Sequence, residues 1–315
     1  MAGGDGCGGS PAGLAHALLA RCRFPETEAS GPAGDQVTLA VSGGADSLAL
    51  LVLAVRARLE VVAIHVDHGL RPGSAREAEV VGAAAARYGA RFEARSVTVA
   101  PGPDLEARAR CARYRALPPG VLTGHTMDDQ AETVLLAVLR GAALDGLAGM
   151  SSDRPGRPRR PLLALRRSET VALCAAEGLT PVSDPSNDDP RFRRNRVRAE
   201  VLPLLFEVAG RDLVPVLARQ AGLLSGDADL LDSLSASIDP TDVRALRAAP
   251  SSLARRAIRR WLRSPGAFPD VETHPPSADE VARVLAVAAG EIRACQLAGG
   301  RRVERHAGRL TVAGR

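Results

Sequence analysis

The chain contains no lysine, so all 41 of its Lys and Arg residues are arginine. That absence excludes a Walker A phosphate loop, which needs its lysine, and pyridoxal chemistry, which needs a Schiff-base lysine. Cysteine is sparse as well. Cys7, Cys22, Cys111, Cys174 and Cys295 form an odd set with no CxxC pair, which argues against a disulfide framework and a zinc knuckle. Aromatic residues make up 3% of the chain, leaving little for stacking on nucleic-acid bases. No apolar run is long and clean enough to cross a bilayer. The start is glycine-rich with Asp5 as its first charged side chain, unlike a basic signal-peptide region. These absences together predict a soluble, cytoplasmic protein.

What is present points to an anion. A net charge of +5 and a pI near 9.4 fit a polyanionic partner, and arginine binds phosphate bidentately; an arginine-biased genome would give the same balance. The most specific local feature is Ser42-Gly43-Gly44-Ala45-Asp46-Ser47. Before it lies the β-branched, apolar run Val37 to Val41; after it, Leu48 to Leu53 is apolar and rich in helix formers. A Gly-Gly pair there lets the backbone turn sharply and approach a ligand. Unpaired N–H groups at the helix start make an anion site. Ser42 and Ser47 add hydroxyls, and Asp46 adds a carboxylate suited to a hard cation such as Mg2+. The alternative is a small-residue turn in which Ser47 only caps the helix.

Strand-like runs follow at α/β spacing: Val37 to Val41, Val61 to Val66, Arg91 to Val97 and Val121 to Thr123. Helical stretches separate them, Leu48 to Leu59, Ala75 to Tyr88 and Leu105 to Leu117. The alternation predicts an α/β fold with a doubly wound, mostly parallel sheet whose ligands sit at the carboxyl ends of the strands. Residues 1–35 read as loosely ordered apart from a short helix at Leu14 to Arg21, residues 36–205 as the nucleotide-binding catalytic domain, and residues 206–315 as a smaller, mainly helical domain. In that last part Ser277 and Glu280 form a capping-box signature before a helix at Ala278 to Ala289, Trp261 reads as core, and Leu297 to Val312 reads as a hairpin. Asp153 to Pro158 reads as an exposed loop.

Further polar clusters fall just after the strand runs. His65-Val66-Asp67-His68-Gly69-Leu70-Arg71 follows the second. Arg108, Arg110, Arg113 and Tyr114 lie at spacings that let some share a helix face, or form a solvated stripe. Gly124 to Thr133 follows the fourth strand, and Asp129 and Glu132, three apart, point the same way, which suits a metal or a general base; first-turn acids also serve simply as dipole stabilisers. Asp184-Pro185-Ser186-Asn187-Asp188-Asp189-Pro190 is a turn signal followed by Arg191, Arg193, Arg194, Arg196 and Arg198.

The loop at Ser42 to Ser47 resembles the PP-loop of the ATP pyrophosphatase superfamily. In order along the chain, SGGADS, HVDHGLR at His65 to Arg71, RCARY at Arg110 to Tyr114, GHTMDDQAETVLL from Gly124 to Leu136, and the segment Asp184 to Arg198 resemble the tRNA(Ile)-lysidine synthetase family. The likeness covers most of residues 37 to 205; the first motif is shared by the superfamily, the last two are far more specific. It implies ATP-dependent ligation of free L-lysine to C2 of the wobble cytidine of tRNA(Ile) with a CAU anticodon, through an adenylated tRNA, releasing AMP and pyrophosphate. It implies ATP binding by Ser42, Gly43, Gly44, Ala45, Asp46, Ser47, His65 and Asp67, and Mg2+ held by Asp46 and Asp129. Arg113 would neutralise charge at the reacting groups, and Glu132 would hold or deprotonate the lysine amine. Arg110, Tyr114, Arg191, Arg194, Asn195, Arg196 and Arg198 would meet the tRNA. Oligomeric state is open, a homodimer being compatible. Rival readings are a tRNA thiolase, which would want a nucleophilic cysteine or an iron–sulfur cluster, and a non-catalytic nucleotide sensor of the same fold.

Overall fold

The computed structural model describes residues 10–25, 36–67, 69, 74–98, 105–153, 157–183, 189–264 and 276–313. Much of the expected loose N-terminal segment lies outside the described residues. So do His68, Leu70, Arg71, residues 154–156 of the expected loop, the 184–188 turn and the side chain of Arg110. The chain divides into two compact units, Met1–Leu224 and Ser225–Arg315.

The first unit alternates strand and helix. After α1 (Pro11–Leu19) come β1 (Gln36–Ala40), α2 (Ala45–Arg56), β2 (Glu60–Asp67), α3 (Ser74–Arg87), β3 (Arg91–Ser96), α4 (Leu105–Arg115) and β4 (Leu122–Thr123). The strands pair in the order β3-β2-β1-β4, all parallel, as the spacing predicts. Inner strand β2 is buried from Val61 through His65, so its apolar run is continuous rather than alternating. Edge strand β3 is largely exposed and carries charge, which discourages further pairing. On one face Leu39 packs with α2, where Leu48, Leu50, Leu51 and Leu53 are all buried, and with Leu162, Leu165 and Leu173. The other face buries Val62, Ile64, Leu117 and Val121.

Strand order reverses beside β1. The chain steps outward to β2 and β3, then returns to lay β4 on the opposite side of β1. In open α/β sheets the crevice at the carboxyl ends of two such strands is where ligands bind.

Beyond the sheet come α5 (Met127–Leu139), the short α6 (Leu144–Leu147), α7 (Arg167–Ala176) and α8 (Arg193–Arg196). The last runs through a π-turn at Val197–Val201 into α9 (Leu202–Ala209), followed by α10 (Val214–Ala236). Ala131 on α5 shares a buried cluster with Val197, Leu202 and Val214. The first compact unit therefore continues past residue 205, where the motif pattern ends, to Leu224.

The second unit contains α11 (Val243–Ala248), α12 (Ser251–Arg263), α13 (Ala278–Ala289), and an antiparallel sheet of β5 (Ala294–Gln296), β6 (Arg302–His306) and β7 (Arg309–Ala313). Ser277 and Glu280 form the expected capping box: the Glu280 N–H donates to Ser277 Oγ at 3.1 Å and the Ser277 N–H to the Glu280 carboxylate at 2.9 Å. The hairpin is β6 with β7, turning through Ala307 and Gly308 at φ of 46° and 77°; β5, three residues long, is too short to show a period in sequence. Trp261 packs against the core of this unit. Among the described residues no helix is long and apolar enough to cross a membrane.

Candidate active site

The loop Ser42 to Ser47 leaves β1 at the reversal of strand order. Gly43 has a φ of 88°, a left-handed conformation that favours glycine. Gly44 is the N-cap of α2. Ser47 does not cap the helix with its side chain; its Oγ donates to the Gly44 carbonyl at 2.9 Å and accepts the Ser42 N–H at 3.2 Å, fastening the loop from within. From the other side β4 is followed by Gly124, where a Cβ would stand 2.5 Å from the Asp46 carbonyl oxygen. Only glycine lets the turn after β4 lie against the first turn of α2. That contact sets Asp129 beside Asp46.

Both acids are heavily engaged. Asp129 Oδ2 accepts the Thr126 N–H at 2.9 Å and its hydroxyl at 3.1 Å, so it stabilises the start of α5. Its Oδ1 accepts Arg167 Nη2 at 2.9 Å. Asp46 accepts the Thr170 hydroxyl on Oδ1 and faces Arg167 Nε at 3.5 Å with Oδ2. Burial pushes the Asp46 carboxyl up and the nearby Asp129 charge adds to this, against the opposing pull of Thr170 and Arg167. Burial acts the same way on Asp129, but Arg167, His125 and the Thr126 N–H outweigh it and hold that carboxyl below its usual range. One oxygen of each acid thus faces a single cation.

Glu132, one turn along α5, is 0% exposed. Arg198 Nε donates to it at 2.7 Å, Arg167 Nη1 at 3.2 Å, and Arg194 Nε stands 3.1 Å away. The spacing of Asp129 and Glu132 does bring both to one centre. Three guanidinium groups around one fully buried carboxylate, however, enclose it and occupy both its oxygens. The expected role of Glu132 as base toward an amine does not fit this enclosure; the geometry makes it an anchor for arginines.

The basic segment divides by direction. Arg194 and Arg198 turn inward, Arg194 also donating to the Thr133 hydroxyl at 2.8 Å. Arg191 and Arg196 turn outward, their side chains 85% and 59% exposed, paired with Asp189 and Glu200. Asn195 donates to the Asp189 carbonyl at 3.0 Å and so closes the local turn. Arg113 is half-buried on α4. Tyr114, expected to meet the tRNA, is partly buried and packs against the cluster of Val62, Ile64, Leu117 and Val121. His65 is buried, its Nδ1 3.0 Å from the Val41 carbonyl; since a carbonyl only accepts, Nδ1 is the donor there, and among the described residues Nε2 has no hydrogen-bond partner. Asp67 accepts the Gly69 N–H at 2.8 Å, shaping the turn after β2.

Arg166, Arg167, Asp128 and Thr170 were not singled out from sequence. Asp128 accepts the Arg167 N–H at 2.8 Å and the Arg166 side chain, which also reaches Asp212. This ties the start of α7 to α5. The available signal was an anomaly of sign: adjacent arginines at a helix N-terminus oppose the macrodipole, an arrangement that calls for nearby carboxylates.

A family model for the PP-loop domain matches residues 23–205, and one for the TilS substrate binding domain matches residues 242–311. The tRNA(Ile)-lysidine synthase of Nocardia farcinica is 47% identical over 249 residues, covering 75% of this chain and 78% of that protein. That of Salinispora arenicola is 41% identical over 307 residues, covering 89% of this chain and 91% of its own. Among solved structures, the U34-tRNA thiolase NcsA of Methanococcus maripaludis superposes with a TM-score of 0.52 at 16% identity, over 67% of this chain and 78% of that one; this is a likeness of fold alone. Sequence relatives and domain models agree on one assignment, the same family that the motifs from Ser42 to Arg198 resemble: the chain belongs to the tRNA(Ile)-lysidine synthases.

Proposed function

We propose that the chain uses ATP to join free L-lysine to C2 of the wobble cytidine of a tRNA(Ile) with a CAU anticodon. The observation that carries this reading beyond family membership is the meeting of a glycine-rich anion loop with paired carboxylates and inward arginines at one sheet edge. In the first step the cytidine O2 attacks the α-phosphorus, the bond to pyrophosphate breaks, and the base carries AMP. In the second, the neutral ε-amine of lysine attacks C2, the C2–O bond breaks, and AMP leaves.

Each step asks for a different part of the site. Phosphate oxygens would lie on the loop N–H groups at Gly43, Gly44 and Ala45 and on the hydroxyl of Ser42, with the positive end of α2 behind them. His65 Nε2 and Asp67 would border the nucleotide. Asp46 and Asp129, close enough to share one guanidinium and buried enough to need a cation, fit Mg2+ with its preference for carboxylate oxygen. Bound there, Mg2+ would supply charge neutralisation for the polyphosphate. Arg167, Arg194 and Arg198, anchored on Glu132, would stabilise negative charge on the reacting phosphate. Arg113 would serve the same charge from α4.

Outside the centre, the outward Arg191 and Arg196 would meet the RNA backbone. In the second unit Arg244, Arg247, Arg305 and Arg309 line a groove of about 670 Å³, a surface suited to phosphodiester. The buried Cys174 and half-buried Cys22 fit sulfur transfer poorly. Cys174 is buried and its thiol is pushed up to about 11 by burial and then by Asp46, while burial takes Cys22 to about 12; neither is a thiolate at neutral pH. The test is labelled-lysine incorporation into bulk tRNA with and without ATP. ATP-dependent incorporation into a CAU-anticodon tRNA(Ile) is expected; pyrophosphate release without incorporation would sink the assignment.

A further inference from the structure

Three helices supply the acidic centre. Asp46 comes from α2, Asp129 and Glu132 from α5, and the cation among them, Arg167, from the first residue of α7. Each arm of that guanidinium is committed: Nε at 3.5 Å from Asp46, Nη2 at 2.9 Å from Asp129 and Nη1 at 3.2 Å from Glu132. The acids are committed on their far sides too. Asp46 Oδ1 is taken by Thr170, and Asp129 Oδ2 by the N–H and hydroxyl of Thr126. What remains for any incoming cation is the oxygen pair that Arg167 already holds. Glu132 differs, because Arg198 and Arg194 hold it independently.

We propose that Arg167 is the resident cation of the metal position. In the nucleotide-free protein it keeps Asp46 and Asp129 together and offsets part of their charge. When the nucleotide arrives with its divalent ion, Arg167 gives up those two oxygens and stays tethered through Nη1 to Glu132, where its freed arms become donors for phosphate oxygens. One residue thereby couples metal entry to nucleotide entry: the free protein binds a divalent ion weakly, and the ion and ATP bind together. This inference rests on the proposed metal role of Asp46 and Asp129.

The test uses the full chain and Mn2+ as probe, followed by electron paramagnetic resonance of the free ion, with thermal unfolding to establish that each variant is folded. Without nucleotide, Arg167→Gln should bind Mn2+ about tenfold or more tightly than the wild type, since a charge-assisted competitor has been removed. Adding Asp129→Asn to that variant should abolish the gain and so locate it. With a non-hydrolysable ATP analogue the wild type should bind Mn2+ readily. If Arg167→Gln stays within about twofold of wild type while the analogue-bound wild type takes up Mn2+, the resident-cation role is wrong and the metal site stands. Failure to bind Mn2+ in every state overturns both. Should Arg167→Gln not fold, Arg167→Lys decides: its point charge cannot span two carboxylates, so it should still gain affinity, and no gain refutes the proposal.

Discussion

Replacing Glu132 by glutamine tests the electrostatics of the centre. The carboxylate is fully buried and takes donors from Arg198 at 2.7 and 3.2 Å, from Arg167 at 3.2 Å, and the close charge of Arg194 at 3.1 Å. Glutamine keeps the shape but loses the charge, and its amide turns donors toward a donor-rich wall. Removing one partner of a buried ion pair costs about 3–5 kcal/mol. The three guanidinium groups keep part of their surface in water, with side-chain exposures of 26%, 29% and 34%. Solvent screening therefore favours the lower end, about 3 kcal/mol. For a unit the size of Met1–Leu224 this amounts to a fall in Tm of about 6–12 °C. Calorimetry measures that fall, and the two half-reactions are followed separately as pyrophosphate release and labelled-lysine incorporation. Both should drop together, because Arg167, Arg194 and Arg198 lose a common anchor. A Tm within about 2 °C of wild type, or accumulation of adenylated tRNA with only lysine transfer lost, would refute this and restore Glu132 as the base for the amine.

Asp46→Asn should abolish pyrophosphate release while leaving Tm unchanged or slightly higher, since burial raises the carboxyl and asparagine still accepts from Thr170. The sign is that of a raised acid: its contribution to stability is present in acid and lost as pH rises through its folded value. Turnover at near wild-type rate with unchanged magnesium dependence would contradict the metal assignment. Arg196→Ala, on the exposed side of α8, should weaken tRNA binding and lower the slope of log K against log salt by about one without moving Tm. Arg194→Ala should do the reverse, lowering Tm with the slope intact, and identical behaviour of the two variants would defeat the division into inward and outward arginines.

The sequence by itself determined the elements and their class. Continuous apolar runs at Val37 to Val41 and Val61 to Val66, spaced by helical stretches, admit little other than a buried parallel sheet. Glycines at 43 and 44 marked the sharp turn from β1 into α2, and Asp129 with Glu132 marked the acidic turn of α5, since these are local requirements of backbone and spacing. Tertiary structure alone decided what those groups face. That the turn after β4 abuts α2 depends on strand order and on the missing Cβ of Gly124. Arg167 lies 121 residues from Asp46 along the chain, and no local period links them. Which arginines of a run of five turn inward depends on what their helix packs against: Val197 and Leu202 bury against Ala131 of α5, the helix that carries Glu132. Tyr114, partly buried, packs against the sheet cluster for the same reason: a ring flanked by arginines reads alike in sequence whether its helix face meets solvent or sheet, and burial of apolar area favours the sheet.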